Sequence, residues 1–259
     1  MASVRPAAAD ALPWAVLQHV PHEGPGAIVP ALEGAGVDHH VVRLDLGERL
    51  PAPGSMGGLV VMGGPMGVHD VTGYPWLEGE RTLMRAVVDR DLPVLGVCLG
   101  AQQLAAALGA DVTTGPVAEV GVGQVELTGE GRHDPVLGPE YHGLSGTSVP
   151  CVHWHRDTFS LPEGAVHLAA TRAFPHQAFR YGPRAYGLQF HVEVDEELAT
   201  RWRPLLPDGV TLDPGDVARI GSVGRRILQR FVTVATAAGP PGVTGSGRTD
   251  ERADERAEA

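Results

Sequence analysis

The stretch that decides the fold is DLPVLGVCLGAQQLAAALG, residues 91–109. It begins with the apolar run 92–97, which is typical of a strand buried on both faces. It continues as an Ala/Leu-rich segment that ends at Gly109, which is typical of a helix with its C-cap. Cys98 stands where the two meet. A buried strand that turns directly into a helix predicts an α/β sheet with this cysteine at a strand end.

Two glycines flank the cysteine at equal spacing. Gly96 and Gly100 complete a G-x-nucleophile-x-G elbow, in which small residues permit a sharp turn that exposes the nucleophile above the sheet. The N-terminus of the following helix stabilises an anion and therefore favours the thiolate. The N–H of Leu99 would point toward a tetrahedral oxyanion and supply half of an oxyanion hole. The alternative is a small, buried apolar cysteine behind a glycine-rich turn.

The composition narrows the class of protein. The chain has 259 residues, 43% of them hydrophobic, which allows one large α/β domain. Its net charge of −11, without a basic stripe, argues against nucleic acid or an anionic membrane as partner. All 20 basic residues are arginine, which excludes a P-loop lysine and a Schiff-base lysine.

The cysteine count and the apolar runs predict the compartment. Two cysteines, Cys98 and Cys151, do not make a disulfide framework in a chain of this length. No apolar run has the length of a signal-peptide core near the N-terminus or of a membrane span elsewhere. We therefore expect a cytoplasmic protein.

Strands alternate with helices through the first half of the chain. This pattern predicts a doubly wound, mostly parallel sheet flanked by helices, with a small mixed or antiparallel extension after Asp111. The predicted strands there cover 14–20, 37–44 and 58–62, and one helix covers 78–90. The extension should contain a short strand at 123–127, one at 152–159, and a hairpin of 177–181 with 185–193.

Four segments are expected along the chain. Residues 1–13 form a flexible N-terminus, 14–206 one domain, 207–238 a helical extension packed on it, and 239–259 a disordered tail of proline, glycine and charge. The predicted C-terminal helices are 195–206, a second one after Asp213-Pro214, and a third over 221–238.

A histidine and a glutamate complete the chemistry of the elbow. His191 and Glu193 are two residues apart on a predicted strand, so both side chains lie on one face. Glu193 can orient the imidazole, whose other nitrogen faces the Cys98 thiol, which is the arrangement of a catalytic triad. In α/β-hydrolases the acid precedes the histidine, whereas here it follows, which disfavours that class.

These motifs resemble those of class I glutamine amidotransferases. GVCLGAQ at 96–102 resembles their nucleophile motif, GLQFHVE at 187–193 their strand with histidine and glutamate, and 63–65 their oxyanion loop. The resemblance covers about residues 14–200 and is greatest to stand-alone members similar to the amidotransferase part of GMP synthetase. It implies a flavodoxin-like α/β fold.

The resemblance also implies an activity and its residues. The family releases ammonia from the side-chain amide of glutamine through a γ-glutamyl thioester on the cysteine. By position, the triad is Cys98, His191 and Glu193, and the oxyanion donors are Gly64 and Leu99. The substrate-binding residues implied are Gly63, Gln102, His155 and Asp157.

No cofactor and no metal are predicted. His153 and His155 share a strand face near Cys151, but no fourth ligand at metal spacing accompanies them. The sequence contains no ATP loop and no second domain that could use ammonia. We therefore expect a separate ammonia-accepting synthetase or transferase as partner.

Two alternatives stay open at this point. One is a free-standing hydrolase of γ-glutamyl peptides or conjugates, which would use the same attack with a larger leaving amine. The other is a catalytically inactive regulatory or scaffolding module that has retained the fold.

Overall fold

One mixed sheet dominates the structure. The computed structural model describes residues 11–138 and 147–237. The strands of this part are β1 (Trp14–Gln18), β2 (His39–Arg43), β3 (Gly58–Val61), β4 (Val94–Val97), β5 (Val112–Leu127), β6 (Ser148–Phe159), β7 (Val166–Ala170), β8 (Ala178–Tyr181) and β9 (Ala185–Leu188). They form a nine-stranded sheet in the order β2-β1-β3-β4-β9-β8-β7-β5-β6.

Helices cover both faces of this sheet. In the described part they are α1 (Ile28–Gly34), α2 (Trp76–Val88), α3 (Leu99–Ala107), α4 (Gly129–His133), α5 (Glu196–Trp202) and α6 (Pro214–Ala237). Short 3-10 turns occupy Leu44–Leu46 and Arg203–Leu205.

The parallel half of the sheet confirms the predicted fold class. β2, β1, β3, β4 and β9 pair in parallel, and Gly96 of β4 lies opposite Gly187 of β9. The carboxyl ends of β3, β4 and β9 therefore meet at one edge, where ligands bind in such sheets.

The antiparallel half is larger than the sequence predicts. β5 runs for 16 residues and pairs with β6 along most of its length, with an irregularity between Thr114 and Glu119. We predicted only a short strand at 123–127 because the glycines in this segment read as loop residues. In the structure, the absent side chain of Gly123 makes room for the ring of His153, since a Cβ there would lie 2.6 Å from its Cδ2 atom.

The two faces of each central strand enter different cores. In β1, Trp14 and Val16 pack toward α1 and α6, while Ala15 and Leu17 pack toward α2 and α3. All four are buried, which explains the continuous apolar run in this strand.

The C-terminal helices differ from the prediction. The second and third predicted helices form one continuous helix, α6, of 24 residues. Gly224 does not interrupt it, because its lack of a side chain lets α6 approach the chain segment that follows β9. A Cβ on Gly224 would lie 1.8 Å from the carbonyl oxygen of Val192. Phe231 of α6 packs edge-to-face on Trp14 and Tyr186, so α6 belongs to the main core.

The chain ends lie mostly outside the described residues. The predicted flexible N-terminus overlaps them only at 11–13, and the predicted disordered tail at 239–259 lies wholly beyond them. Both stay predictions. No helix in the described ranges is both long and apolar enough to cross a lipid bilayer.

Candidate active site

Cys98 occupies a strained elbow between β4 and α3. Its backbone has φ 53° and ψ −109°, a conformation that costs about 1–3 kcal/mol and that clusters at functional sites. A Cβ on Gly96 would lie 2.3 Å from the carbonyl oxygen of Gly100, and one on Gly100 would lie 2.0 Å from that of Val61. The tight turn therefore requires both glycines.

His191 and Glu193 lie opposite the elbow. His191 Nδ1 is 2.7 Å from Glu193 Oε1, and both side chains are almost fully buried. A Cβ on Gly63 would lie 3.2 Å from His191 Cε1 and 3.5 Å from Cys98 Cβ, so the imidazole and the cysteine flank the same residue. The three side chains predicted from the sequence are thus together.

The support for His191 differs from the prediction. β9 ends at Leu188, so His191 and Glu193 lie beyond the strand on which we placed them. The backbone of His191 instead forms an isolated antiparallel bridge with Val152 of β6, with N···O distances of 2.8 and 3.0 Å. The antiparallel half of the sheet therefore fixes the position of the imidazole.

The protonation of His191 follows from its neighbours. Burial alone would lower its pKa, but the charge of Glu193 and the hydrogen bonds with Cys98 and Glu193 raise that pKa well above its ordinary value. The Nδ1–H of the ring is donated to Glu193 Oε1, because a carboxylate only accepts.

Trp202 holds the imidazole from one side. Its ring meets that of His191 edge-to-face, with centroids 4.8 Å apart, and its Nε1–H donates to the carbonyl oxygen of His22 at 2.7 Å. α5, which carries Trp202, begins where the Asp195 carboxylate accepts from Leu198 N. The sequence analysis missed this role, because an apolar ring on a helix is first interpreted as core.

The residues predicted to form the oxyanion hole are neighbours. Leu99 is the first residue of α3, and the four N–H groups at the start of a helix have no intrahelical partner. A Cβ on Gly64 would lie 3.1 Å from Leu99 Cδ2. The loop after β3 therefore contacts the beginning of α3, and the oxyanion hole stays a prediction.

A buried ion pair fixes this loop. His19 Nδ1 is 2.9 Å from the carbonyl oxygen of Gly63, and His19 Nε2 is 2.7 Å from Glu80 Oε2. Burial alone would lower the pKa of His19, but the Glu80 carboxylate and the Gly63 carbonyl raise it. Both partners only accept hydrogen bonds, so the doubly protonated ring suits both, and the pair holds the backbone of Gly63 in place.

Glu23 is a further carboxylate near the cysteine, in addition to Glu193, and the sequence analysis missed it. A Cβ on Gly63 would lie 2.2 Å from Glu23 Oε2, 3.2 Å from His191 Cε1 and 3.5 Å from Cys98 Cβ. Burial raises the pKa of Glu23. Its place in the sequence could have indicated this, because Glu23 follows the first parallel strand, and the carboxyl ends of the parallel strands lie at the edge of the sheet where Cys98 is found.

A chain of amides connects the cysteine to the predicted substrate pocket. Gln102 Nε2 donates to Gln189 Oε1 at 3.1 Å and to the carbonyl oxygen of Asp157 at 3.2 Å. Gln189 Nε2 is 3.8 Å from Cys98 Sγ. Gln102 and Asp157 are thus together, and Gln189, two residues before His191, joins them although the sequence analysis did not select it.

His155 contacts this pocket through the backbone. Its Nδ1 donates to the carbonyl oxygen of Asp157 at 3.1 Å, and its Nε2 lies 3.2 Å from Glu119 Oε2. The side chain is 1% exposed. Direct binding of substrate by His155 stays a prediction, because the ring is directed at Glu119.

Together, the fold and these contacts define a flavodoxin-like α/β protein with a cysteine elbow opposite a buried histidine–glutamate pair. The family described as "Glutamine amidotransferase class-I" matches residues 26–201. This chain belongs to the class I glutamine amidotransferase family.

Relatives and solved structures agree with this assignment. The glutamine amidotransferase-like protein YfeJ of Salmonella typhimurium is 32% identical over 183 residues, which cover 69% of this chain and 74% of YfeJ. The GMP synthase of Ectopseudomonas mendocina is 34% identical over 142 residues, 53% of this chain but only 25% of that enzyme.

Two crystal structures of glutamine amidotransferases superpose over most of the chain. That from Methylobacillus flagellatus has a TM-score of 0.77 at 27% identity and covers 92% of this chain and all of the other. That from Thermotoga maritima has a TM-score of 0.73 at 27% identity, with 86% and 98% covered.

Proposed function

We propose that the protein hydrolyses the side-chain amide of glutamine through a γ-glutamyl thioester on Cys98 and delivers the ammonia to a separate acceptor enzyme. The observation that carries this proposal is the position of the strained Cys98 beside the buried His191–Glu193 pair, both of them next to Gly63. Family membership supports the reaction class.

In the proposed acylation, the Cys98 thiolate attacks the amide carbon and forms the C–S bond. The N–H groups of Leu99 and Gly64 donate to the oxyanion, and each such donor contributes about 2.7–4 kcal/mol in comparable sites. The His191 imidazolium gives its proton to the departing nitrogen, the C–N bond breaks, and ammonia leaves. Glu193 stabilises the imidazolium before this transfer.

In the proposed deacylation, neutral His191 takes a proton from a water molecule. The resulting hydroxide adds to the thioester carbon, the C–S bond breaks, and glutamate leaves. The thiolate and the imidazolium are then restored, so one glutamine and one water give one glutamate and one ammonia.

The match to GMP synthases supports the proposal of a separate acceptor. The match to a GMP synthase covers only a quarter of that enzyme. We propose that the ammonia-using reaction resides in another chain, and that glutamine turnover increases when that chain is added.

The test compares the two cysteines of the chain. Ammonia and glutamate release from glutamine are measured for the wild type, Cys98→Ala and the control Cys151→Ala, whose thiol is also buried. We expect Cys98→Ala to lose turnover and Cys151→Ala to retain it. A glutamine-like electrophile should label Cys98 alone, as mapped by peptide mass spectrometry.

Undiminished turnover in Cys98→Ala would overturn the proposed mechanism. A panel of γ-glutamyl peptides is run in parallel, because faster turnover of these than of glutamine would favour the hydrolase alternative.

A further inference from the structure

Three ligand-type side chains converge on the antiparallel half of the sheet, behind the predicted substrate pocket. Glu119 of β5 lies opposite His155 of β6, and Gly121 lies opposite His153, so both rings fall beside the carboxylate. Glu119 Oε2 is 3.2 Å from His155 Nε2 and 3.7 Å from His153 Nδ1, and all three ligand atoms lie within 4.8 Å of one another.

His155 directs its second ring nitrogen at the carboxylate. Its Nδ1 faces the carbonyl oxygen of Asp157 and must carry the hydrogen, because a carbonyl only accepts. Its Nε2 lies 3.2 Å from Glu119 Oε2, and the side chain is 1% exposed.

His153 adds a second ring nitrogen. Its Nδ1 is buried without a hydrogen-bond partner and lies 3.7 Å from Glu119 Oε2, whereas its Nε2 lies 3.4 Å from Cys151 Sγ. The side chain is 7% exposed. A buried nitrogen without a partner is thus aimed at the carboxylate.

Gln177 can complete the set. Its Nε2 lies 2.7 Å from Glu119 Oε2 and 3.4 Å from His155 Nε2, and its Oε1 is buried without a partner. The two ends of an amide exchange by a half-turn of the side chain. That turn would bring Oε1 beside Glu119 Oε2 and His155 Nε2, where a cation between them would offset the repulsion of the oxygens.

We propose that Glu119, His153, His155 and Gln177 bind a divalent transition metal ion, and that Zn²⁺ fits them best. Imidazole and carboxylate ligands suit Zn²⁺, and its bonds of about 2.0–2.2 Å separate tetrahedral ligands by about 3.4 Å. The observed separations of 3.2 and 3.7 Å bracket this value. The Nδ1–H of His155 already bonds a backbone carbonyl, as the second nitrogen of a ligating histidine usually does.

The bound ion would have a positioning role. His155 connects it to the Asp157 carbonyl, which also accepts from Gln102. The site does not depend on the proposed reaction, so it can be tested on an inactive variant.

The test uses untagged Cys98→Ala protein, in which the Cys98–His191 pair cannot hold a metal. Chelator-treated protein is titrated with Zn²⁺ by calorimetry and with Co²⁺ by visible absorption. We expect one equivalent to bind, with the intense Co²⁺ bands of a tetrahedral site. We also expect zinc to raise the melting temperature.

Variants locate the site. His153→Gln and Glu119→Gln should weaken zinc binding about 100-fold, and Gln177→Leu about 10-fold. The control is His176→Gln, which changes a histidine that pairs with His167 elsewhere in the sheet; it should bind zinc like the parent. Circular dichroism of the metal-free proteins verifies folding.

Two results would each overturn the proposal. One is the absence of stoichiometric binding in the folded parent, which would leave a proton shared between His155 and Glu119 as the occupant. The other is unchanged affinity in His153→Gln. If a variant fails to fold, the ring-nitrogen NMR shifts of His153 and His155 in the parent, with and without Zn²⁺, decide the question.

Discussion

The contact of Gly224 with Val192 predicts that one added methyl group lowers the proposed glutamine turnover about 100-fold. In Gly224→Ala, the new Cβ would lie 1.8 Å from the carbonyl oxygen of Val192, whereas real contacts stay above 3.0 Å, so one side must move by about 1.2 Å. Val192 lies between His191 and Glu193, so the movement passes directly to the proposed base. A misplacement of about 1 Å costs about 100-fold in rate, and overpacking costs about 1–3 kcal/mol of stability.

The control for this substitution lies on the same helix. A Cβ on Gly215 meets nothing within 4 Å, so Gly215→Ala should keep full activity and gain up to about 1 kcal/mol from helix propensity. Glutamine turnover and urea unfolding are measured for both variants. Wild-type turnover in Gly224→Ala, together with an increase in stability like that of Gly215→Ala, would refute the reasoning.

Three further substitutions separate the roles of the buried groups. Glu193→Gln removes the charge that stabilises the His191 imidazolium. The kcat should therefore fall about 100- to 10,000-fold, and alkylation of Cys98 at pH 7 should slow. Both quantities are measured on a variant whose fold is unchanged. Glu80→Gln should cost about 3 kcal/mol of unfolding free energy at pH 6. Because the pKa of His19 is raised in the folded state, the ion pair contributes its full stabilisation below the ordinary histidine pKa of about 6.5, and this stabilisation is lost as the pH rises through the folded pKa. Plots of unfolding free energy against pH for the wild type and for Glu80→Gln should therefore converge at higher pH. Parallel plots would contradict this. Trp202→Phe keeps an aromatic ring against the imidazole but removes the hydrogen bond to the His22 carbonyl oxygen. The unfolding free energy should therefore fall by about 1–2 kcal/mol, while kcat should change less than in Trp202→Ala.

The sequence predicted the parts of the site that depend on local geometry. Gly96 and Gly100 around Cys98 indicate an elbow because only glycine permits that turn, and the apolar run before it indicates a buried strand. His191 and Glu193 were identified from their spacing and from the family resemblance, although the strand assigned to them ends earlier.

The residues that the sequence analysis missed depend on long-range pairing. Glu119 reaches His155 only because β5 pairs with β6 in one register, and Gln177 arrives from the segment before β8. Glu23 and Gln189 likewise reach the cysteine from distant segments. Nothing in the local pattern around these residues specifies such neighbours.

The continuous helix α6 was misread for a related reason. We placed the start of a third helix at Gly221, because glycine lowers helix propensity and resembles a helix boundary in sequence. In the structure, the close approach of α6 to Val192 requires glycine at position 224, so packing overrides propensity.

The parallel pairing of β4 with β9 has a consequence for how the protein acquires reactivity. Residues 96 and 187 are neighbours in space yet far apart along the chain, and such remote pairings form slowly during folding. Cys98 can contact His191 only after β9 has paired with β4 and β8. In a nascent or partly refolded chain, Cys98 therefore lacks a neighbouring histidine. The onset of rapid alkylation by a glutamine-like reagent should then mark completion of the sheet.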